Sequence, residues 1–230
     1  MAATDGSTKG SWRATTPALW GTVLLAFALG VTGAWGSSAA DDEPFQFPKG
    51  TRWKYIGTTN GVKTAVTQEV FKVSQGDLFV KGERATVSHL LLRTVGDQFG
   101  GELESISTTG FIGIEGGYFV TGSVGGAPVR LYKLGSRPGD SWPCTDPRLK
   151  NMPDRTFVHV GIEKLTVPAG VFRSARHVRV ELQQGGATHT GDFYIVPGIG
   201  IVKTEAVSEA AGRQFKVTLE LESFTPPGEF

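Results

Sequence analysis

The chain has one cysteine, Cys144, and no C-x-x-C pair in its 230 residues. An intrachain disulfide framework and a zinc ribbon are therefore excluded. Charge of one sign is equally scarce, with 23 basic residues against 22 acidic. Taking away the first 40 residues removes Lys9, Arg13 and Asp5 and leaves 21 of each sign. A nucleic-acid partner needs a basic footprint that releases counterions from phosphates. Here basic residues are scattered singly, as in Arg173, Arg176 and Arg179, so no nucleic-acid partner is expected. No H-E-x-x-H helix, no G-x-S-x-G elbow and no Lys-Ser/Thr after a glycine-rich loop is present, which removes the common signals of metal, serine-nucleophile and phosphate-loop chemistry.

Glycine is abundant, at 32 residues, but without a G-X-Y period it does not spell collagen. With 14 Phe, 5 Trp and 4 Tyr the chain is too rich in core-forming side chains to stay disordered. The glycines therefore punctuate a folded domain.

The N-terminus reads as an address. Residues 14–40 carry no charge and follow Lys9 and Arg13; within them Ala18 to Trp35 is apolar, and Asp41, Asp42 and Glu43 come next. Positive, then apolar, then acidic is the order of a secretory signal or an N-in membrane anchor. Ser38 and Ala40 offer the small residues that a signal peptidase reads, placing cleavage before Asp41. If uncleaved, residues 18–35 just suffice to span a membrane. No cysteine lies near the end of the apolar run, which excludes a lipid-modified N-terminus. The expectation is a signal peptide or signal anchor over 1–40, a single β-rich domain over 41–230, and a location in the periplasm or cell envelope.

After Glu43 apolar and polar residues alternate. Phe215, Val217, Leu219 and Leu221 fall on one face of a strand over 213–224, against Lys216, Thr218, Glu220 and Glu222. Val178, Val180 and Leu182 repeat this against His177, Arg179 and Glu181. Val158, Val160 and Ile162 are expected on a core face, with His159 and Glu163 outward. Turn signals at Asn60-Gly61, Gln75-Gly76-Asp77, Gly125-Gly126 and Gly185-Gly186 separate the strands. In Val62 to Ser74 the apolar parity switches from Val62, Val66 and Val70 to Phe71 and Val73, which predicts a β-bulge. Leu90, Leu91 and Leu92 in sequence predict a strand covered on both faces. The fold class is all-β: a curved antiparallel sheet, half-barrel or sandwich-like, of about 10–11 strands.

Three echoes point to an internal repeat of 50–125 and 139–207 with a closing strand. Pro48 to Trp53 matches Arg137 to Trp142, with the tryptophans 89 positions apart. Val70-Phe71-Lys72-Val73 matches Ile162-Glu163-Lys164-Leu165, and Ile112-Gly113-Ile114 matches Ile199-Gly200-Ile201.

Candidate chemistry is thin. His189 and Asp192 are the nearest His/Asp pair, but three residues apart on one strand they face opposite ways. Cys144 is an isolated thiol for which the sequence places no base. No catalytic residue, metal ligand or cofactor is assigned, and no enzyme is expected; a hydrolase would need His189 or Cys144 to meet partners across strands. Trp53, Tyr55, Tyr118, Phe119, Tyr132 and Trp142 remain as candidate ligand-binding residues. On a curved sheet they either line a cavity for an apolar or lipid-like molecule or fill the core.

Thr166-Val167-Pro168-Ala169-Gly170-Val171-Phe172 and Tyr194-Ile195-Val196-Pro197-Gly198-Ile199-Gly200-Ile201-Val202-Lys203, with the Gly50–Trp53 and Gly139–Trp142 openings, resemble an uncharacterised family of exported bacterial β-rich envelope proteins. The resemblance covers 139–224 well and 45–135 more thinly. It implies a fold similar to the lipoprotein-carrier (LolA/LolB-like) proteins, whose curved sheet shelters acyl chains, and it brings no catalytic residues. The expected function is an exported, non-enzymatic envelope domain that shelters an apolar ligand. The alternative is a membrane-anchored structural or interaction subunit with an envelope protein partner.

Overall fold

A computed structural model of the chain describes residues 45–77, 84–98, 101–123, 127–145, 155–184 and 187–228. The expected leader over 1–40, with its apolar stretch 18–35 and its cleavage point, and the Gly125-Gly126 and Gly185-Gly186 turns lie outside the described residues. Period-2 alternation resolves into twelve strands: β1 (Arg52–Thr59), β2 (Val62–Asp77), β3 (Arg84–Gln98), β4 (Gly101–Glu115), β5 (Tyr118–Ser123), β6 (Val129–Lys133), β7 (Ser141–Pro143), β8 (Thr156–Val167), β9 (Gly170–Gln184), β10 (Ala187–Val196), β11 (Gly200–Ala210) and β12 (Arg213–Thr225). The fold is all-β and antiparallel, with no helix among the described residues. The strand count exceeds expectation by the short β7, because Trp142 sits in a three-residue strand and not in a turn.

The sheet order is β6-β5-β4-β3-β2-β1-β12-β11-β10-β9-β8-β7. Consecutive strands pair throughout except β6 and β7, which form the two edges, and β12 returns to pair with β1. The two outer strands nearly meet: Arg130 N–H donates to Cys144 O (2.6 Å) and the Trp142 indole N–H donates to Arg130 O (2.7 Å). The sheet thus curls into a nearly closed barrel that brings its two edge strands together. Its interior is filled by inward side chains, among them Val66, Leu90, Ile112, Phe157, Ile195 and Leu219.

Strands β1–β6 and β7–β12 share local geometry. Gly50 N–H donates to Val70 O (2.8 Å), Thr51 N–H to Pro48 O (3.1 Å) and Val70 N–H to Thr51 O (2.9 Å). Eighty-nine residues on, Gly139 N–H donates to His159 O (2.8 Å), Asp140 N–H to Arg137 O (2.9 Å) and His159 N–H to Asp140 O (2.9 Å). Gly50 and Gly139 have φ of 91° and 94°, a left-handed conformation that favours glycine. The predicted bulge is present at Phe71, between the pairs Val70–Leu90 and Lys72–His89. A second bulge at Val160 lies between His159–Val178 and Gly161–His177, again offset by 89. The other two echoes are corrected. Val70 corresponds to His159 and not to Ile162. Ile112–Ile114 lies within β4, whereas Ile199 precedes β11 in a turn.

Two facing assignments are also corrected. Phe157 and His159 point inward on β8, while Val158, Val160 and Ile162 are 38%, 42% and 56% exposed. The Phe157 ring wins the interior because it stacks on Trp142 (6.3 Å) and meets Phe193 edge-on (6.0 Å). Leu90 and Leu92 are buried but Leu91 between them is 43% exposed, so β3 is covered on one face at this point. His177 keeps the outer face assigned to it, beside Arg179 and Asp192, but is buried there beneath its neighbours.

Candidate functional site

The six aromatic residues singled out from sequence separate into two groups. Trp53, Tyr55, Phe119, Tyr132 and Trp142 are all buried in the barrel interior. Trp53 and Tyr55 alternate inward from β1. The Tyr55 hydroxyl crosses to donate to Ile201 O (3.1 Å) on β11, and its burial holds the phenol pKa well above the usual value. Tyr132 meets Trp142 edge-on at 6.2 Å and His159 at 5.8 Å, with the Arg176 guanidinium 5.2 Å above its ring. Tyr118 stands apart. It is half-buried at the start of β5, with the Arg130 guanidinium 4.6 Å above its ring.

Two residues that sequence reasoning passed over complete this cluster. Phe45 and Phe47 precede β1 and belong to no strand, yet they are 1% and 3% exposed. Phe45 stacks on Phe119 at 4.5 Å and meets Tyr132 edge-on at 6.4 Å. Phe47 meets Trp53 edge-on at 5.6 Å and Phe119 at 6.4 Å. Ser88 Oγ on β3 donates to Phe47 O (2.6 Å). The alternation Phe45-Gln46-Phe47-Pro48 was the available signal: one short apolar face directly before the first turn.

The same end of the barrel carries a cap. The hairpin joining β8 and β9 is the Val167-Pro168-Ala169-Gly170 segment, with Gly170 at φ 138°. It reaches β12, where Ala169 N–H donates to Leu221 O (2.9 Å), and Val167 is buried in the core. Leu221 is the cross-strand partner of Tyr55, two residues from Trp53, so the cap closes over the end that Phe45 and Phe47 enter.

Several polar side-chain atoms in this interior have no hydrogen-bond partner among the described residues. They are both amide atoms of Gln68, the indole nitrogen of Trp53, the hydroxyl of Tyr132 and the hydroxyl of Thr204. Gln68 is completely buried and sits directly across from Trp53 on the same face of the β1–β2 pair.

Outside the barrel, β8–β10 carry an ionic cluster. His177 Nδ1 lies 2.7 Å from Glu163 Oε1, and its Nε2 contacts Asp192 Oδ1. Tyr194 stacks on the imidazole at 4.6 Å, and the Arg179 guanidinium donates to Asp192 Oδ1 at 2.8 Å. His189, considered with Asp192 from sequence, instead places Nδ1 2.8 Å from Ser208 Oγ and does not meet Asp192. Cys144 is buried, and that burial pushes its thiol pKa up to about 11 against the opposing charge of Arg155. Among the described residues, no group of three or more His, Cys, Asp or Glu side chains is arranged to hold a metal ion.

No family model matches the chain, and no curated protein matches it. Among solved structures it is similar to an inferred exported protein with a YmcC-like fold from Bacteroides fragilis. The TM-score is 0.51 at 16% identity, and the match covers 79% of this chain and 98% of that one. It is also similar to an inferred lipoprotein from Parabacteroides distasonis, with a TM-score of 0.44 at 15% identity over 80% of this chain and 99% of that one. At 16% identity the first likeness is one of fold alone.

Proposed function

We propose that the chain is an exported, non-enzymatic envelope domain whose barrel interior shelters an apolar or lipid-like ligand. The observation that carries this reading is the seating of Phe45 and Phe47 among Trp53, Phe119 and Tyr132. A segment outside every strand inserts its apolar side chains into the interior, so the barrel accommodates an apolar guest at the capped end. The cost of exposing such a guest to water, about 25 cal/mol per Å² of apolar surface, is what a carrier offsets. Export is supported by the leader-like order of charge and apolarity before Asp41. The fold likeness to a protein described as exported agrees with it. The motifs resemble those of exported β-rich envelope proteins, and the similarity in fold which that resemblance implies to LolA/LolB-like carriers favours the acyl-chain class of ligand.

The test is native mass spectrometry and lipid extraction of the protein purified from its own envelope. A co-purifying lipid is the expected result; protein free of any lipid, with an interior that takes up none when one is supplied, overturns the reading.

A second reading, a membrane-anchored interaction subunit, draws on the exposed apolar residues Val160 and Ile162 on β8 and Val171 on β9. N-terminal sequencing of the mature protein separates the two. A start at Asp41 removes the anchor that the second reading requires.

A further inference from the structure

We propose that the interior contains, beside Trp53, a binding site for a neutral amphiphile. Its polar group is held by the Gln68 amide and the Trp53 indole N–H, and its apolar part takes the place of Phe47 and Phe45. This inference rests on the shelter reading and specifies the ligand.

Gln68 is the decisive residue. Its side chain brings one acceptor and two donor hydrogens, it is completely buried, and neither amide atom meets a partner among the described residues. Natural interiors pair such groups, because a buried amide left unpaired costs roughly 1–3 kcal/mol. The residue directly across β1 is Trp53, whose indole nitrogen is buried and without a partner as well. Three donors and one acceptor are thus gathered within one cross-strand pair, where neighbouring Cβ atoms lie about 5 Å apart.

The surroundings select the class of ligand. Gln68 pairs on its other side with Leu92, and Trp53 with Phe224, so the position is walled by apolar side chains. An ionised head group there would be buried without a counter-charge, which is far costlier than burying a hydroxyl or an ester. A neutral group with both a hydrogen to donate and an oxygen to accept matches Gln68 and Trp53 together.

The apolar part has a path. Phe47 packs edge-on against Trp53, and Phe45 continues the row onto Phe119. A short acyl chain with its head at Gln68 would run along the line these two rings now occupy. The Phe45–Phe47 segment is therefore an internal competitor that leaves when ligand enters, releasing the Ser88 hydroxyl from Phe47 O.

The experiment titrates the full-length chain with 1-monodecanoylglycerol, decanoate and decane, following intrinsic tryptophan emission and native mass. The wild-type chain is expected to prefer monodecanoylglycerol to both others. Gln68→Leu should weaken monodecanoylglycerol about tenfold, the value of one buried hydrogen bond, and leave decane unchanged. Trp53→Phe, which deletes only the donor and the outer ring, should weaken it in the same direction. Phe47→Ala should tighten both monodecanoylglycerol and decane. Equal binding of monodecanoylglycerol and decane, unaffected by Gln68→Leu and Trp53→Phe, overturns the head-group site and leaves the shelter reading standing. Tighter binding of decanoate than of the neutral ester also overturns the head-group site. Binding of none of the three, by wild type or by Phe47→Ala, overturns both. Thermal unfolding controls for folding: Gln68→Leu exchanges an unpaired amide for an apolar side chain and should not lower Tm.

Discussion

His89 and His177 hold the same position in the two halves of the sheet. His89 pairs with Lys72 just past the Phe71 bulge, and His177 pairs with Gly161 just past the Val160 bulge. Each reaches the next strand residue that faces it: His89 Nε2 lies 2.8 Å from Ser74 Oγ, and His177 Nδ1 lies 2.7 Å from Glu163 Oε1. Ser74 and Glu163 are themselves 89 residues apart. The position is shared but its chemistry has diverged, since His177 also contacts Asp192 and packs under Tyr194.

That divergence predicts unequal mutants. His177→Ala removes the ring that bridges two carboxylates and leaves Glu163 and Asp192 with no group between them. Hydrogen bonds to charged groups contribute about 1.5–3 kcal/mol, so a loss of about 2 kcal/mol is expected. His89→Ala gives up one neutral bond to Ser74 and should cost about 1 kcal/mol. Urea unfolding of the two variants at pH 7 checks the order; equal losses would mean that the ionic cluster adds nothing.

Acid sensitivity follows from the other histidines. Burial lowers the pKa of His89, His159 and His189, helped by Lys72 at His89 and by Arg155 at His189. His159 is fully enclosed, with Nε2 3.2 Å from Gly161 O and Nδ1 3.1 Å from Ser136 O and 3.2 Å from Ser136 Oγ. A neutral ring can donate to only one of the two carbonyls, and burial outweighs the pull of both toward the charged form. Just below the usual value of 6.5 the unfolded chain binds protons that the folded chain does not. Stability is therefore complete above that value and declines as pH falls through it. The urea midpoint should drop between pH 7 and pH 5, and His159→Gln should flatten that dependence.

Cys144 gives the opposite sign at high pH. Its folded thiol stays protonated up to about 11, while the usual value is 9.0. Between these values the unfolded chain loses a proton that the folded chain keeps, so stability falls by up to about 1.4 kcal/mol per pH step over that range. At pH 8 a thiol reagent should label Cys144 only at the rate of global opening, and immediate labelling in native buffer would contradict its burial. Cys144→Ala should remove this alkaline contribution.

Much of this architecture is legible in the sequence, because alternation and turn residues act locally. The β12 pattern at Phe215 to Leu221, the bulge near Phe71 and the Asn60-Gly61 turn all depend on near neighbours. The misread facings have a common cause. In β8 the valines at 158 and 160 alternate as well as Phe157 and His159 do, and only the distant Trp142 and Phe193 rings decide which set turns inward. The same holds for the site. Trp53, Tyr55, Phe119, Tyr132 and Trp142 are visible as aromatics, but Gln68 reads as an ordinary strand polar residue until its cross-strand position opposite Trp53 is known. Phe45 and Phe47 alternate as strand residues do, but the run is cut short by Pro48 and is too brief to mark them as core.

The cap makes a prediction about access. Val167 anchors the β8–β9 hairpin in the core, and Ala169 ties it to Leu221. Val167→Asp puts a carboxylate into that buried position, where an unpaired charge is not tolerated, so the hairpin should leave β12. Trypsin should then cleave at the exposed Lys164 or Arg173 several-fold faster than in the wild-type chain. Unchanged cleavage would show that the hairpin is held by its own strand pairing alone.

The seam between the two halves depends on one glycine. Gly57 on β1 pairs with Leu219 on β12, the contact that joins the first strand to the last. A Cβ built at Gly57 would lie 1.8 Å from Thr218 O and 2.7 Å from Thr218 C, both backbone atoms that cannot rotate away. Gly57→Ala must therefore push β12 off β1 and break the ladder that joins the first strand to the last. Overpacking of this kind costs about 1–3 kcal/mol, and the upper end is expected because the obstacle is main chain. Amide exchange should show the loss centred on Ile56 to Thr58 and on Thr218 to Glu220, with β8 to β10 less affected. A uniform loss across all twelve strands would mean instead that the seam and the rest of the sheet open together, as one cooperative unit.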